Sequence, residues 1–223
     1  MIVEKSFADA QALNDACEAA MREVLAGATA DAPRAVMLSG GRTPLALFQQ
    51  IAAHPFPVGS GAWITYTDDR HVPVESPESN FGATLPMINA LGLPLERVLR
   101  VNTELSLEDA AARFHADFEA FFAAGGTIPV AFLGMGTDGH TCSIFTREDF
   151  ERGAGRYASP TWRPTPPHRV TVTPMLLERC ERVIFLLVGA DKAAVIKQLL
   201  EAPETMPAGW ATAGCKHVEL WRA

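Results

Sequence analysis

The chain has 223 residues, 48% hydrophobic and 20% charged, with a formal net charge of −7. That length suits one large domain or two small ones with a sizeable core, and the ordinary apolar fraction excludes a disordered or low-complexity protein. The acidic balance argues against a general nucleic-acid binder, which needs a basic face, but not against a small anion met by a few convergent cations.

In chain order, residues 7–26 carry apolar side chains at helical spacing, with Ser6 as the expected N-cap and Gly27 at the end. Arg34–Ser39 is short and apolar, hence a buried strand, followed by Gly40, Gly41 and a helix over Pro44–Ala53 capped by Thr43. Ala62–Thr67 is β-branched and aromatic, a second strand. Asp68–Ser79 is polar and proline-broken, a loop, and a helix over 80–90 follows, with a bend expected at Pro86. Val98–Val101 reads as a weak strand. Residues 107–124 read as an amphipathic helix, opened by Ser106 and Asp109 at capping-box spacing. Val130–Gly134 is a buried strand running into GMGTDGHT, and residues 152–168, with four prolines, read as a surface loop. Arg169–Thr173 (strand), Pro174–Arg179 (short helix), Val183–Val188 (strand), Asp191–Leu200 (helix) and His217–Trp221 (strand) complete the chain.

This alternation predicts an α/β fold, a mostly parallel sheet with helices on both faces. Ligands of such sheets bind beyond the carboxyl ends of the strands. Three polar, glycine-rich loops, 39–43, 67–80 and 134–143, leave those ends and should converge.

No stretch approaches the roughly 18 apolar residues of a membrane span, and acids near the N-terminus argue against a secretory leader. Cys17, Cys142, Cys180 and Cys215 are scattered, without a C-x-x-C pair. They argue against a zinc site or a disulfide framework and for reduced thiols in the cytoplasm.

Within the first loop, Ser39-Gly40-Gly41-Arg42-Thr43 offers close backbone approach and a helix start able to meet an anion, although a tight turn needs the same glycines. Gly134, Gly136 and Gly139 match G-x-G-x-x-G. A dinucleotide fingerprint would continue into a helix and then a strand ending in an acid, whereas the region around Ser159 reads as a loop without a strand. The same loop places His140 two residues from Asp138, among glycines where an imidazole can serve as a general base. Asp68, Asp69, Arg70 and His71 follow a strand, and Arg169 and Lys192 supply two later cations. Lys192 opposes the helix dipole unless an anion sits before it.

These residues resemble a known family. SGGRTP at 39–44, DDR at 68–70 with Val72 and Pro73, SNFG at 79–82, LGMGTDGHTCSIF at 133–145, PHR at 167–169 and Gly189 with Lys192 look like the 6-phosphogluconolactonases. The likeness runs from about residue 35 to 200, with motif order preserved. Asp69 stands where the family more often has Glu, Thr137 where Pro is common and Cys142 where Ala is usual.

The resemblance implies a cytoplasmic, cofactor-free, metal-free and monomeric enzyme, with residues 1–223 forming a single Rossmann-like domain akin to the sugar-phosphate isomerase and deaminase superfamily. It would hydrolyse 6-phosphoglucono-1,5-lactone in the oxidative pentose phosphate pathway, with no nucleic-acid or membrane partner. It points to His140 as the base, oriented by Asp138, Asp68 or Asp69. The substrate would be held by Ser39, Gly40, Gly41, Arg42, Thr43, Arg70, Asn80, Gly136, Arg169 and Lys192. A glucosamine-6-phosphate deaminase, a non-catalytic sugar-phosphate sensor and a lactonase for another phosphorylated aldonolactone are the alternatives.

Overall fold

The computed structural model describes residues 2–223, apart from the side chain of Arg42. The expected alternation is present. Strands β1 (Ile2–Ser6), β2 (Arg34–Leu38), β3 (Ala62–Tyr66), β5 (Val98–Leu99), β6 (Thr127–Leu133), β9 (Cys180–Leu187) and β10 (Val218–Arg222) form a seven-stranded sheet. Its order is β1-β10-β9-β6-β2-β3-β5, and every neighbouring pair is parallel. The order runs outward in opposite directions from β2 and β6, which makes the gap between their carboxyl ends the topological switch point.

Side chains alternate across this sheet, and each face has its own core. Met37, Leu133 and Phe185 pack against Phe114, Phe118 and Phe121 of helix α4 (Leu107–Ala123). Their neighbours Leu38, Phe132 and Ile184 face Met21 of α1 (Ala10–Ala26), Ile51 of α2 (Arg42–Ala53) and Ile88 of α3 (Asn80–Ala90). Because both faces are covered, the central strands read as continuous apolar runs.

A second, three-stranded antiparallel sheet, in the order β4-β8-β7, is built from β4 (Asp68–Arg70), β7 (Ala158–Thr161) and β8 (Arg169–Val172). Here the structure corrects the sequence expectations. Residues 68–70 are a strand, and the segment around Ser159 is one too. β7 does not complete a dinucleotide fold, however, because it is antiparallel and lies outside the main sheet. β1 was likewise unexpected, as were the helices α5 (Arg147–Arg152) and α8 (Pro207–Thr212); α6 (Pro174–Leu177) and α7 (Ala193–Glu201) match their expected helices.

Two helix starts also differ from expectation. Asp9, not Ser6, caps α1 by accepting from the Ala12 amide at 2.9 Å. Gly41, at φ 115°, precedes α2, so the helix begins before Thr43 and has no side-chain cap. α3 runs through Pro86. No described helix is long and apolar enough to cross a membrane.

Candidate active site

The three loops do converge. A cleft of about 310 Å³ opens at the switch point and takes its walls from the turns after β2 and β6, from β4 and β8, and from the segment before α7. Of the residues named from sequence, Ser39, Gly40, Gly41, Thr43, Asp68, Arg70, Asn80, Gly136, His140, Arg169 and Lys192 line it. The side chain of Arg42 lies outside the described residues. Asp138 stands behind His140, and Asp69 does not reach the cleft.

The loop after β6 is folded around its imidazole. The Gly136 amide donates to the His140 carbonyl at 2.9 Å and the Gly139 amide to that of Gly136 at 3.0 Å, while the Thr141 hydroxyl donates to the Gly134 carbonyl at 2.8 Å. Gly139 at φ 82° makes the turn, a conformation that favours glycine. His140 Nδ1 lies 2.5 Å from Asp138 Oδ1, and the ring centroids of His140 and Phe145 are 4.4 Å apart. Partial burial pushes the Asp138 carboxyl up, but the hydrogen bond and charge of His140 outweigh it and hold the group below its ordinary value. With Nδ1 engaged, Nε2 is the ring atom left to exchange a proton. A Cβ on Gly136 would lie 2.3 Å from both Asp138 Oδ1 and His140 Nδ1, so only glycine leaves room for the pair.

Arg70, Arg169 and Lys192 make part of the lining cationic. In the β4–β8 register Arg70 stands directly across from Arg169, an arrangement of like charges that ordinarily destabilises a strand pair. Arg70 donates through Nη1 to the Glu78 carbonyl at 2.7 Å, and Arg169 Nη1 is 3.8 Å from Asp68 Oδ2. Both Nε groups are buried without a hydrogen-bond partner among the described residues, as is the hydroxyl of Ser39. Burial, with repulsion from Arg70 and Arg163, lowers the Arg169 pKa against the pull of Asp68. Lys192 donates from Nζ to the Met135 carbonyl at 2.9 Å, which holds its ammonium over the loop that carries His140. Unsatisfied donors, two opposed guanidiniums and the uncapped start of α2 make this a place for a small anion.

The two acids after β3 have separate tasks. Asp68 accepts from Ser143 Oγ at 2.6 Å and from Thr67 Oγ1 at 2.8 Å, and so ties β4 to the His140 loop beneath Arg169. Asp69 turns into the protein and accepts from the amides of Arg70, Asn80 and Phe81 at 2.7–3.0 Å. Burial raises its pKa to about 6 despite those amides. It fixes the start of α3, so that Asn80 donates to the Asp68 carbonyl at 2.8 Å and fills the space beside Gly40. A Cβ on Gly40 would fall 1.9 Å from Asn80 Oδ1. Asp138 is therefore the carboxylate that meets the imidazole.

Sequence reasoning overlooked Thr67, Met135 and Asp191 in the lining, and assigned nothing to Cys142. Cys142 lines the cleft at φ 52°, and burial together with the Asp68 charge pushes its thiol well above the ordinary value. The polar segment after β3 and the first turn after Gly189 were the available signals for Thr67 and Asp191.

A parallel sheet with a cleft lined by arginines and a lysine, and a His–Asp pair at its switch point, is the architecture of an α/β enzyme. The chain belongs to the family described as glucosamine-6-phosphate isomerases/6-phosphogluconolactonase, whose model matches residues 8–220. It is 34% identical over 199 residues to the human 6-phosphogluconolactonase, covering 84% of this chain and 76% of that one. With the Thermotoga maritima 6-phosphogluconolactonase it shares 32% identity over 168 residues, 74% of each chain. The crystal structure of that bacterial protein superposes with a TM-score of 0.82 at 27% identity, covering 100% of this chain and 99% of that one. A monomeric glucosamine-6-phosphate deaminase superposes at 0.73 with 17% identity over 99% and 97% of the two chains, and shares the fold.

Proposed function

We propose that this protein hydrolyses 6-phosphoglucono-1,5-lactone to 6-phosphogluconate, with His140 as general base. The observation that carries the reading is the presence, in one cleft, of a carboxylate-oriented imidazole and of two arginines, from β4 and β8, whose buried Nε groups have no hydrogen-bond partner among the described residues. The names of the relatives support the substrate.

The phosphate would sit against Arg70 and Arg169, with the amides at the start of α2 beside Gly40 and Gly41 and with Lys192 nearby. This remote grip places the C1 carbonyl at the imidazole. His140 Nε2 takes a proton from a water as its oxygen bonds to C1, and the carbonyl electrons move onto oxygen. As the tetrahedral oxyanion collapses, the bond from C1 to the ring oxygen breaks. The imidazolium returns its proton to that oxygen, leaving a carboxylic acid that ionises and an open-chain hydroxyl. Asp138 holds the Nδ1 proton in place and stabilises the imidazolium between the two transfers. No acyl-enzyme is needed. Ser39, Thr43, Asn80 and Gly136 shape the cleft around the sugar, and the enzyme acts as a cytoplasmic monomer.

Generating the lactone in situ and following its loss tests this reading. Wild type should outpace spontaneous opening, and His140→Ala should fall by about 10²-fold or more, as for loss of a general base. Ammonia release from glucosamine 6-phosphate, without lactone hydrolysis, would overturn it in favour of a deaminase. A covalent ester trapped on Ser39 or Ser143 would overturn the water attack.

A further inference from the structure

Beside the cationic wall stands a guanidinium that the cleft lining does not include. Arg163 lies in the connection between β7 and β8, half-buried, with its guanidinium carbon 3.6 Å from the centre of the Phe145 ring. Its backbone amide donates to His168 Nδ1 at 3.1 Å. None of the ion pairs among the described residues involves its side chain.

Phe145 is shared. The imidazole of His140 lies against the same ring at 4.4 Å between centroids, and the Arg169 guanidinium carbon is 5.6 Å from its centre. Arg163 is close enough to Arg169 to repel its charge, as Arg70 does from the other strand. Three guanidiniums thus gather where, among the described residues, Asp68 is the one carboxylate paired with any of them. A guanidinium stacked by its face keeps its edge donors free, the geometry that suits a bidentate oxyanion.

We propose that Arg163 is a further phosphate-binding residue, held ready on the Phe145 ring, that adds a third guanidinium to the Arg70–Arg169 wall when a phosphate monoester dianion enters. Phe145 is the positioning residue: it holds Arg163 without using a donor. The inference rests on the sugar-phosphate reading above and deepens it. A monoester carries a charge of about −1.5 to −2 at neutral pH, and three cations match it better than the opposed pair alone.

Arg163→Met tests this, because an unbranched apolar chain of similar reach keeps the packing on Phe145 and removes the charge. KM for the phosphorylated lactone should rise about tenfold, as for loss of a charge-assisted hydrogen bond, with kcat within about twofold. The inhibition constant of inorganic phosphate should rise in parallel. Phe145→Leu should reproduce the KM rise, Phe145→Tyr should preserve wild-type KM, and Arg163→Met should add nothing to KM in the Phe145→Leu background. Should Arg163→Met fail to fold, judged by its melting temperature, Arg163→Gln is expected to give the same KM effect. Wild-type KM and phosphate inhibition in the Arg163 variants, beside an Arg169→Met variant that loses both, would overturn the role of Arg163 and leave the sugar-phosphate reading standing. A wild-type protein that neither opens the lactone nor is inhibited by phosphate would overturn both.

Discussion

Gly136→Ala isolates the His–Asp pair without touching either partner. The φ at 136 is outside the left-handed range, so alanine meets no left-handed strain there. The added Cβ would, however, lie 2.3 Å from Asp138 Oδ1 and His140 Nδ1 and 2.4 Å from His140 Cε1. Heavy atoms settle about 3.5–4.0 Å apart, so the imidazole or the carboxylate must retreat by more than about 1 Å. A displacement of that size at a reacting group costs roughly 10²-fold in rate. Asp138 is exposed and can swing into solvent, so stability should change by less than about 1 kcal/mol. The expected result in the lactone assay is kcat lower by about 10²-fold, KM within about threefold because the arginines are untouched, and almost no further loss when the change is made in a His140→Ala background. Wild-type kcat with an unchanged melting temperature would refute the steric argument. A loss of activity matched by a collapse in melting temperature would show that Gly136 serves loop folding instead.

Asp138→Asn, which keeps the shape but removes the charge facing His140, should lower kcat about tenfold with KM nearly unchanged, as initial rates will show. Ser143→Ala removes the donor to buried Asp68 and should destabilise the protein by about 1–3 kcal/mol in urea titration. Glu219 provides a pH test remote from the cleft. Partial burial raises its pKa, but hydrogen bonds from Arg182, Lys5 and Trp221 prevail and hold it at about 2 against an ordinary 4.5. The stability it contributes is therefore complete above pH 4.5 and is lost as pH falls through 2. Glu219→Gln should cost about 2 kcal/mol at pH 7, the roughly 3 kcal/mol of the full shift reduced by solvent screening, a difference from wild type that closes under strong acid; a constant difference across that range would refute the assignment.

The central strands were legible because burial on both faces leaves an unbroken apolar run, as in Val183–Val188. What stayed hidden lies at edges and in polar pairings. β1 reads IVEKS, with four of its five residues exposed, and β7 contains Pro160, a residue tolerated in a strand whose amide edge is free. β4 is three charged residues, Asp68–Arg70, whose strand conformation comes from pairing with β8. For the site, residue types and loop positions were readable, since glycine turns at strand ends announce themselves. The division of labour among three acids was not. Asp138 meets His140 only because the turn at Gly139 folds the chain back, while Asp69 is drawn into the amides that open α3. The stacking of Arg163 on Phe145 joins elements 18 residues apart and carries no local signature.

The pairing of β1 with β10 alone has a consequence for biosynthesis. β1 leaves the ribosome before its partner, which is made more than 200 residues later. At translation rates of roughly 5–20 residues per second, β1 waits on the order of ten seconds or more as an unpaired edge. Its charged, exposed composition suits that interval, because Glu4 and Lys5 discourage pairing with other nascent chains. The sheet is thus closed at that edge by an event that cannot occur until β10 has been made.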